Sequence, residues 1–143
     1  GSAAVLSGGA AVDAWQSSGV LMLALLLFVW TPTHFWSLAI MYRHDYQQTD
    51  MPMLPARTSM RQAAFWVLLH TAVTGLAAIA LAAVSRLGWL YLLPVAVLTA
   101  VWLWRNVRLL SQPTPARSRS LFMLSNIYLM VVLLLICLTT VLA

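Results

Sequence analysis

Hydrophobic residues fill four long segments of the chain, which lie at about residues 19–41, 62–84, 88–104 and 121–143. A helix needs about 20 mainly apolar residues to cross the hydrocarbon core of a bilayer, and three of the four segments reach that length. The third segment is shorter and contains Pro94, so we expect it to kink or to rely on terminal side chains that reach the interface. The pattern predicts an all-α, polytopic transmembrane helical bundle with about four transmembrane helices.

Polar residues, glycines and prolines separate the apolar segments. Residues 1–18 are rich in Gly, Ala and Ser, and the pair Gly8 and Gly9 favours an irregular connection there. The polar stretches 43–60 and 105–119 contain prolines and are predicted to be loops that join the spanning helices. The whole chain is therefore predicted to be a single membrane domain.

The composition supports a membrane location, because 62% of the 143 residues are hydrophobic and only 8% are charged. Soluble domains carry about a quarter charged residues. All eight basic residues are arginines, and all but Arg86 lie in or beside the two polar stretches. Because cytoplasmic loops carry an excess of basic residues, loops 43–60 and 105–119 are predicted to be cytoplasmic and both chain ends extracytoplasmic. Arginines that flank spans form no basic face on a soluble domain, so the expected partner is the lipid bilayer and not nucleic acid.

The richest polar stretch is WTPTHFWSLAIMYRHDYQQTDMPMLP, from Trp30 to Pro55, which begins inside the first apolar segment. At helical spacing, His34, Leu38 and Asp45 fall on one face. Eleven residues of helix rise about 16 Å, so His34 would lie about half a bilayer core below Asp45. An ionisable side chain within a span is costly, so His34 either hydrogen-bonds a neighbouring helix or faces a functional cavity.

Asp45 lies where the first span is expected to leave the bilayer, and its carboxylate has two interpretations. It can form an ion pair with Arg43, which contributes little to stability when it is solvated. Alternatively it can hold Mg²⁺, which prefers oxygen ligands and is commonly bound by one or two carboxylates together with substrate phosphates. Arg57 and Arg61 could contact the same phosphates, although both are better explained as residues that anchor the topology.

The string WTPTHFWSLAIMYRHDY, followed by PMLP, resembles the signature of the protohaem IX farnesyltransferases (haem o synthases), within the UbiA-type family of intramembrane prenyltransferases. The later stretches LLHTAVTG, LGWLYLL and SRSLFMLSNIYLMVVLLL fit more loosely, so the resemblance covers the whole chain. Thr33 and Ala56 depart from the family's usual proline and valine-like residue, and Asp50 stands where a small residue is usual.

The resemblance implies a fold of about nine helices, of which the helices of this chain would be the last four. The chain would then be the C-terminal half of the enzyme. The missing N-terminal half of the same enzyme would carry the first of two Asp-rich motifs, and with it the other part of the metal site. The location implied is the bacterial inner (plasma) membrane.

The resemblance also implies an activity, which is the Mg²⁺-dependent transfer of a farnesyl group from farnesyl diphosphate to a vinyl group of haem b, giving haem o. In that reaction Asp45 would be the metal ligand, with Tyr42 and Tyr46 as further catalytic residues near the diphosphate. Arg43 would help to hold the diphosphate. His34 would contact the haem substrate at its iron, at a propionate or at the vinyl-bearing ring.

Aromatic side chains are candidates for shielding the allylic cation of the farnesyl group from water, because aromatic faces stabilise cations. In the same stretch these are Trp30, Phe35 and Trp36, together with Tyr42 and Tyr46, which are better placed near the diphosphate. The resemblance does not assign Asp50 as a metal ligand. His70 is expected to be a structural hydrogen-bonding residue. Two other functions stay open, namely a UbiA-type prenyltransferase with another aromatic acceptor, such as a quinone ring, and a non-catalytic four-helix membrane subunit.

Overall fold

The computed structural model describes residues 1–49 and 51–142, and within that part the chain is helical without any strand. The helices, in chain order, are α1 (Ser2–Ala11), α2 (Ser18–Met41), α3 (Arg43–Gln47), α4 (Leu54–Arg57), α5 (Met60–Val84), α6 (Gly88–Ser111) and α7 (Pro115–Leu142).

The four long helices, α2, α5, α6 and α7, have 24 to 28 residues each and are apolar enough to cross a membrane. At 1.5 Å per residue, even 24 residues rise about 36 Å, which exceeds the hydrocarbon thickness of about 30 Å. The predicted all-α, polytopic helical bundle is therefore confirmed, and the chain is an integral membrane protein.

The long helices pack as a ring in which α2 contacts α5 and α7, and α6 contacts the same two helices. Neighbouring helices are antiparallel. As the residue number rises along one helix, the number of the residue that it contacts on the next helix falls. On α5 and α6, for example, Tyr91 donates its hydroxyl to the carbonyl of Ala78 at 3.1 Å, and Thr99 lies against Gly75. Small residues at such contacts let membrane helices approach closely.

Because neighbouring helices are antiparallel, the ends of α2 and α6 and the starts of α5 and α7 lie on the same side of the bundle. We call this side the basic end, because it holds all the arginines except Arg86, namely Arg43, Arg57, Arg61, Arg105, Arg108, Arg117 and Arg119. The opposite end carries α1, Asp13 and the short connection from α5 to α6.

The third and fourth spans are longer than the hydrophobic pattern predicts. Helix α6 continues to Ser111 and α7 begins at Pro115, so the predicted loop 105–119 is wrong and only residues 112–114 join the two helices. The reason is that Asn106 and Leu109 are buried against the bundle while the neighbouring Arg105 and Arg108 are exposed. Pro115 suits the first position of a helix, where its missing N–H needs no partner.

The prediction that residues 1–18 are irregular is also wrong, because α1 passes straight through Gly8 and Gly9. Gly9 is buried, and a Cβ atom there would lie 2.8 Å from Cγ1 of Val20 and 3.1 Å from Cα of Trp15. The glycine therefore permits close packing of α1 against the start of α2 and does not break the helix. The stretch 43–60 likewise contains the two short helices α3 and α4.

Candidate functional site

The polar stretch Trp30–Pro55 turns at the basic end of the bundle. Helix α2 ends at Met41, and Tyr42 leaves the helical conformation with φ −104° and ψ 30° before α3 begins. The helix that was expected to run unbroken from His34 to Asp45 is therefore interrupted. As a result the two residues lie in different surroundings.

Asp45 lies in a surface cavity of about 260 Å³ that we call the Asp45 pocket, lined by Tyr42, Asp45, Tyr46, Thr49 and Met51. The three residues expected to be catalytic are thus brought together there. Asp45 is exposed, and no described side chain donates a hydrogen bond to its carboxylate or forms an ion pair with it. Its oxygens are consequently open to a ligand that enters the pocket.

Arg43 holds the connection in place. Its Nη2 donates to the carbonyl oxygen of Thr58 at 2.6 Å, across the turn that contains α3 and α4. Its Nη1 is buried and has no hydrogen-bond partner among the described residues. Because a buried donor without a partner costs about 1–3 kcal/mol, Nη1 is a place where an anionic oxygen would be stabilised.

The PMLP sequence forms the other side of this connection. Pro55 stands in the first turn of α4, where a proline needs no N–H partner, and both Pro55 and Ala56 are buried. Gln47 Nε2 lies 3.4 Å from the carbonyl of Ala56 and links α3 to α4. Arg57 and Arg61 are exposed and do not line the Asp45 pocket.

His34 belongs to a second group of residues, between α2 and α7, which we call the His34 cluster. Its ring stacks on Trp30 with centroids 4.5 Å apart, and it lies 4.6 Å from the ring of Phe122. Its Nδ1 is 2.9 Å from Oγ of Ser125, and Trp30 Nε1 donates to the backbone carbonyl of Ser125 at 3.1 Å. Phe35 touches the cluster edge-on at 5.6 Å and is half exposed.

The hydrogen bonds of Ser125 favour one tautomer of His34. Oγ of Ser125 lies 2.7 Å from the carbonyl oxygen of Phe122, which can only accept, and when the hydroxyl donates there it accepts from Nδ1 of His34. In that tautomer Nδ1 carries the proton and the lone pair of Nε2 is available for a ligand, since no described residue donates to it.

Trp36 is not part of either group, although it was predicted to bind substrate together with Trp30 and Phe35. It faces α5, where it packs edge-on against His70 with centroids 5.0 Å apart. His70 was expected to be a structural hydrogen-bonding residue, and that prediction is wrong for its Nδ1. This atom is buried and has no hydrogen-bond partner in the described part of the chain.

Sequence reasoning missed Phe122 and Ser125, which complete the His34 cluster from α7. A polar residue in an apolar span was the available signal, because Ser and Thr in membrane helices commonly bond a neighbouring helix. Across residues 1–49 and 51–142, no three His, Cys, Asp or Glu side chains lie close enough to hold a metal ion. Asp50, which was not predicted to be a ligand, lies outside the described residues.

Comparison with known proteins gives a consistent result. Residues 1–129 match the model of the UbiA prenyltransferase family. The chain is 38% identical over 133 residues to protoheme IX farnesyltransferase 1 of Natronomonas pharaonis and, at the same identity and length, to protoheme IX farnesyltransferase of Sulfolobus acidocaldarius. It is 44% identical over 107 residues to protoheme IX farnesyltransferase 1 of Paramagnetospirillum magneticum.

These matches cover most of the chain but a smaller part of each relative. They include 93%, 93% and 75% of this chain, and 29%, 46% and 38% of the three relatives in the same order. The chain thus spans less than half the length of these relatives, and no solved structure matches it. The family match extends over far more than half of the chain, and the chain belongs to the UbiA prenyltransferase family.

Proposed function

We propose that this chain forms part of a membrane enzyme that transfers a farnesyl group from farnesyl diphosphate to a vinyl group of haem b, giving haem o. In this reaction the C–O bond of farnesyl diphosphate breaks, and its electron pair leaves with the diphosphate. A C–C bond then forms between the farnesyl carbon and the vinyl carbon. Water adds to the cation left on the porphyrin side chain and releases a proton. The relatives are named for this activity, and the family is one of prenyltransferases.

The observation that carries the proposal is the Asp45 pocket at the basic end. It combines an open carboxylate with two tyrosines, and the buried Nη1 of Arg43 lies in the adjoining turn without a partner among the described residues. A diphosphate leaving group requires its developing negative charge to be neutralised, which cations and fixed donors accomplish. Asp45 would act through a bound cation, and Arg43 would act directly on the diphosphate oxygens.

The cation is proposed to be Mg²⁺, and prenyltransferases of this family generally use a divalent metal. The exposed carboxylate of Asp45 is an oxygen donor of the kind that Mg²⁺ prefers, so the chain fits the role of one ligand. One carboxylate does not make a complete metal site, and the other ligands would be the diphosphate itself and residues of the remaining part of the enzyme. Bound there, the metal would neutralise charge on the leaving diphosphate.

The His34 cluster is proposed to contact the haem. Its imidazole is held by Trp30, Phe122 and Ser125, and in the tautomer with the proton on Nδ1 the lone pair of Nε2 would meet the iron or a protonated propionate. Trp30 and Phe35 would provide flat apolar surfaces beside the ring. Because the half-exposed Phe35 extends this surface outward, it is the better candidate of the two for shielding the allylic cation.

The proposed orientation places the basic end in the cytoplasm and both chain ends on the other side of the bacterial inner (plasma) membrane. Seven of the eight arginines lie at that end, which is the bias expected of cytoplasmic segments. A soluble anionic product such as diphosphate would then be released to the cytoplasm.

The proposal is tested by supplying the intact protein, reconstituted in lipid, with farnesyl diphosphate, haem b and Mg²⁺. We expect mass spectrometry of the extracted porphyrins to find haem that has gained one farnesyl group and one hydroxyl group. Removal of divalent cations with a chelator should stop product formation, and added Mg²⁺ should restore it.

A matched reaction contains a quinone-type aromatic acceptor in place of haem b. Prenylation of that acceptor alone would show that the protein is a UbiA-type prenyltransferase with another acceptor. Failure to consume farnesyl diphosphate with either acceptor would favour a non-catalytic membrane subunit and would contradict the proposal.

A further inference from the structure

A second cavity at the basic end is separate from the Asp45 pocket and from the His34 cluster. It lies in the corner between the end of α6 and the start of α7, and its volume is about 300 Å³. We call it the arginine cavity, because its lining residues are Trp104, Arg105, Arg108, Arg117 and Ser120. Neither the proposed farnesyl transfer nor the predicted site residues involve any of these side chains.

The three guanidinium groups of the arginine cavity have only neutral partners among the described residues. Arg105 donates to the hydroxyl of Ser120, and Arg108 lies 5.0 Å from the centre of the Trp104 ring. Arg117 donates to the backbone carbonyls of Arg108 and Gln112 at 2.8 and 3.0 Å, and to the Gln112 side chain at 2.7 Å. These bonds orient the arginines but leave their positive charges uncompensated.

The length of α6 indicates the depth of the cavity. Trp89 at the start of α6 is 72% exposed and marks the interface at the opposite end, as exposed tryptophans do in membrane proteins. Arg108 follows it by 19 residues, or about 28 Å of helix, which is close to the hydrocarbon thickness of about 30 Å. The Arg108 guanidinium is therefore expected at the edge of the hydrocarbon region, from which a long arginine side chain reaches the lipid phosphates.

Apolar surface leads from the cavity into the span. On α6, exposed Val97, Val101 and Trp104 follow one face that ends at Arg108. On α7, exposed Met123 and later apolar residues continue the face that begins at Ser120, namely Ile127, Met130 and Leu134. A ligand that fits both parts has an anionic head and long apolar chains.

We propose that the arginine cavity binds the phosphate headgroup of an anionic phospholipid, with the acyl chains lying along the exposed faces of α6 and α7. Arginine binds phosphate with two parallel N–H donors, and basic pockets between membrane helices bind lipid headgroups in this way. A free inorganic phosphate or diphosphate would use the same arginines but not the apolar faces. The depth of the cavity and the two apolar faces favour the lipid.

The test uses the intact protein, equilibrated with phosphatidylglycerol and phosphatidylcholine of the same chain length and examined by native mass spectrometry. We expect the protein to retain phosphatidylglycerol in preference to phosphatidylcholine. The double variant Arg105→Gln/Arg108→Gln should bind phosphatidylglycerol about 25-fold more weakly, since each arginine near an anionic lipid contributes about a fivefold factor. Arg119→Gln removes an exposed charge that does not line the cavity, so it should bind as the unaltered protein does.

Two results would overturn the proposal. One is equal retention of the two lipids, or an unchanged affinity for phosphatidylglycerol in the double variant. The other is displacement of phosphatidylglycerol by millimolar inorganic diphosphate, which would identify a site for a soluble anion. If the double variant does not fold, the single variant Arg108→Gln tests the proposal. It is expected to fold, because the Arg108 side chain makes no hydrogen bond within the described structure and only stacks on Trp104. A loss of about fivefold is then expected.

Discussion

Replacing Asp45 by Asn in the intact protein is expected to lower the rate of farnesyl transfer by at least about 100-fold, because an amide no longer provides the negative charge that holds the divalent cation at the leaving diphosphate. The substitution keeps the size of the side chain. Since Asp45 is exposed and its carboxylate has no hydrogen-bond partner among the described residues, the helical content and thermal stability should not change. Product formation is followed by mass spectrometry, and folding by circular dichroism.

Asp13→Asn is the matched control for this experiment. Asp13 lies at the opposite end of the bundle and adopts a positive φ of 58°, a conformation that Asn also tolerates. The same change of chemistry at Asp13 should leave transfer unaffected. Near-normal activity of Asp45→Asn, or an equal loss in both variants, would contradict the role of Asp45.

Replacing Gly75 by Ala is expected to destabilise the bundle by about 1–3 kcal/mol, the usual cost of overfilling a well-packed interface. A Cβ atom on Gly75 would overlap Cγ2 of Thr99 on the facing helix α6. Thr99 cannot rotate away freely, because its hydroxyl is bonded to the carbonyl of Val95 at 2.7 Å and to the hydroxyl of Tyr128 at 3.0 Å. The substitution therefore strains the contact between α5 and α6 together with the link to α7.

Gly8→Ala is the control for Gly75→Ala, since no described atom beyond its chain neighbours and the backbone of its own helix lies within 4 Å of the position its Cβ would take. In α1 it should stabilise the helix by up to about 1 kcal/mol, because alanine favours helices more than glycine does. Thermal unfolding of the intact protein in detergent measures both variants. Equal stability of Gly75→Ala and the unaltered protein would show that α5 and α6 do not approach as closely as described.

The spanning helices could be predicted from the sequence because hydrophobic length is a direct requirement of the bilayer. Their ends could not, since residues such as Leu109 near the end of α6 are buried only through packing on neighbouring helices. Helix α1 was missed for a similar reason. The sequence alone suggests that Gly9 breaks a helix. Its role in close packing is evident only from the structure, in which Val20 lies against it.

The candidate site was predictable where its parts are close in sequence. Tyr42, Asp45 and Tyr46 fall within five residues, and they line one pocket even though the helix is interrupted at Tyr42. The contact between His34 and Ser125 joins residues that are 91 positions apart, so it depends on how α2 and α7 align. Hydrophobic patterns do not specify that alignment, because the two helices are apolar on most faces.

The most direct test of the account is whether Asp45 binds a divalent cation together with the diphosphate substrate. Mn²⁺ can replace Mg²⁺ at oxygen ligands, and its binding to the intact protein is measured by electron paramagnetic resonance with and without farnesyl diphosphate. We predict that farnesyl diphosphate promotes Mn²⁺ binding, and that Asp45→Asn weakens this binding by about 10-fold or more whereas Asp13→Asn does not. Equal Mn²⁺ affinity in the unaltered protein and in Asp45→Asn would contradict the account.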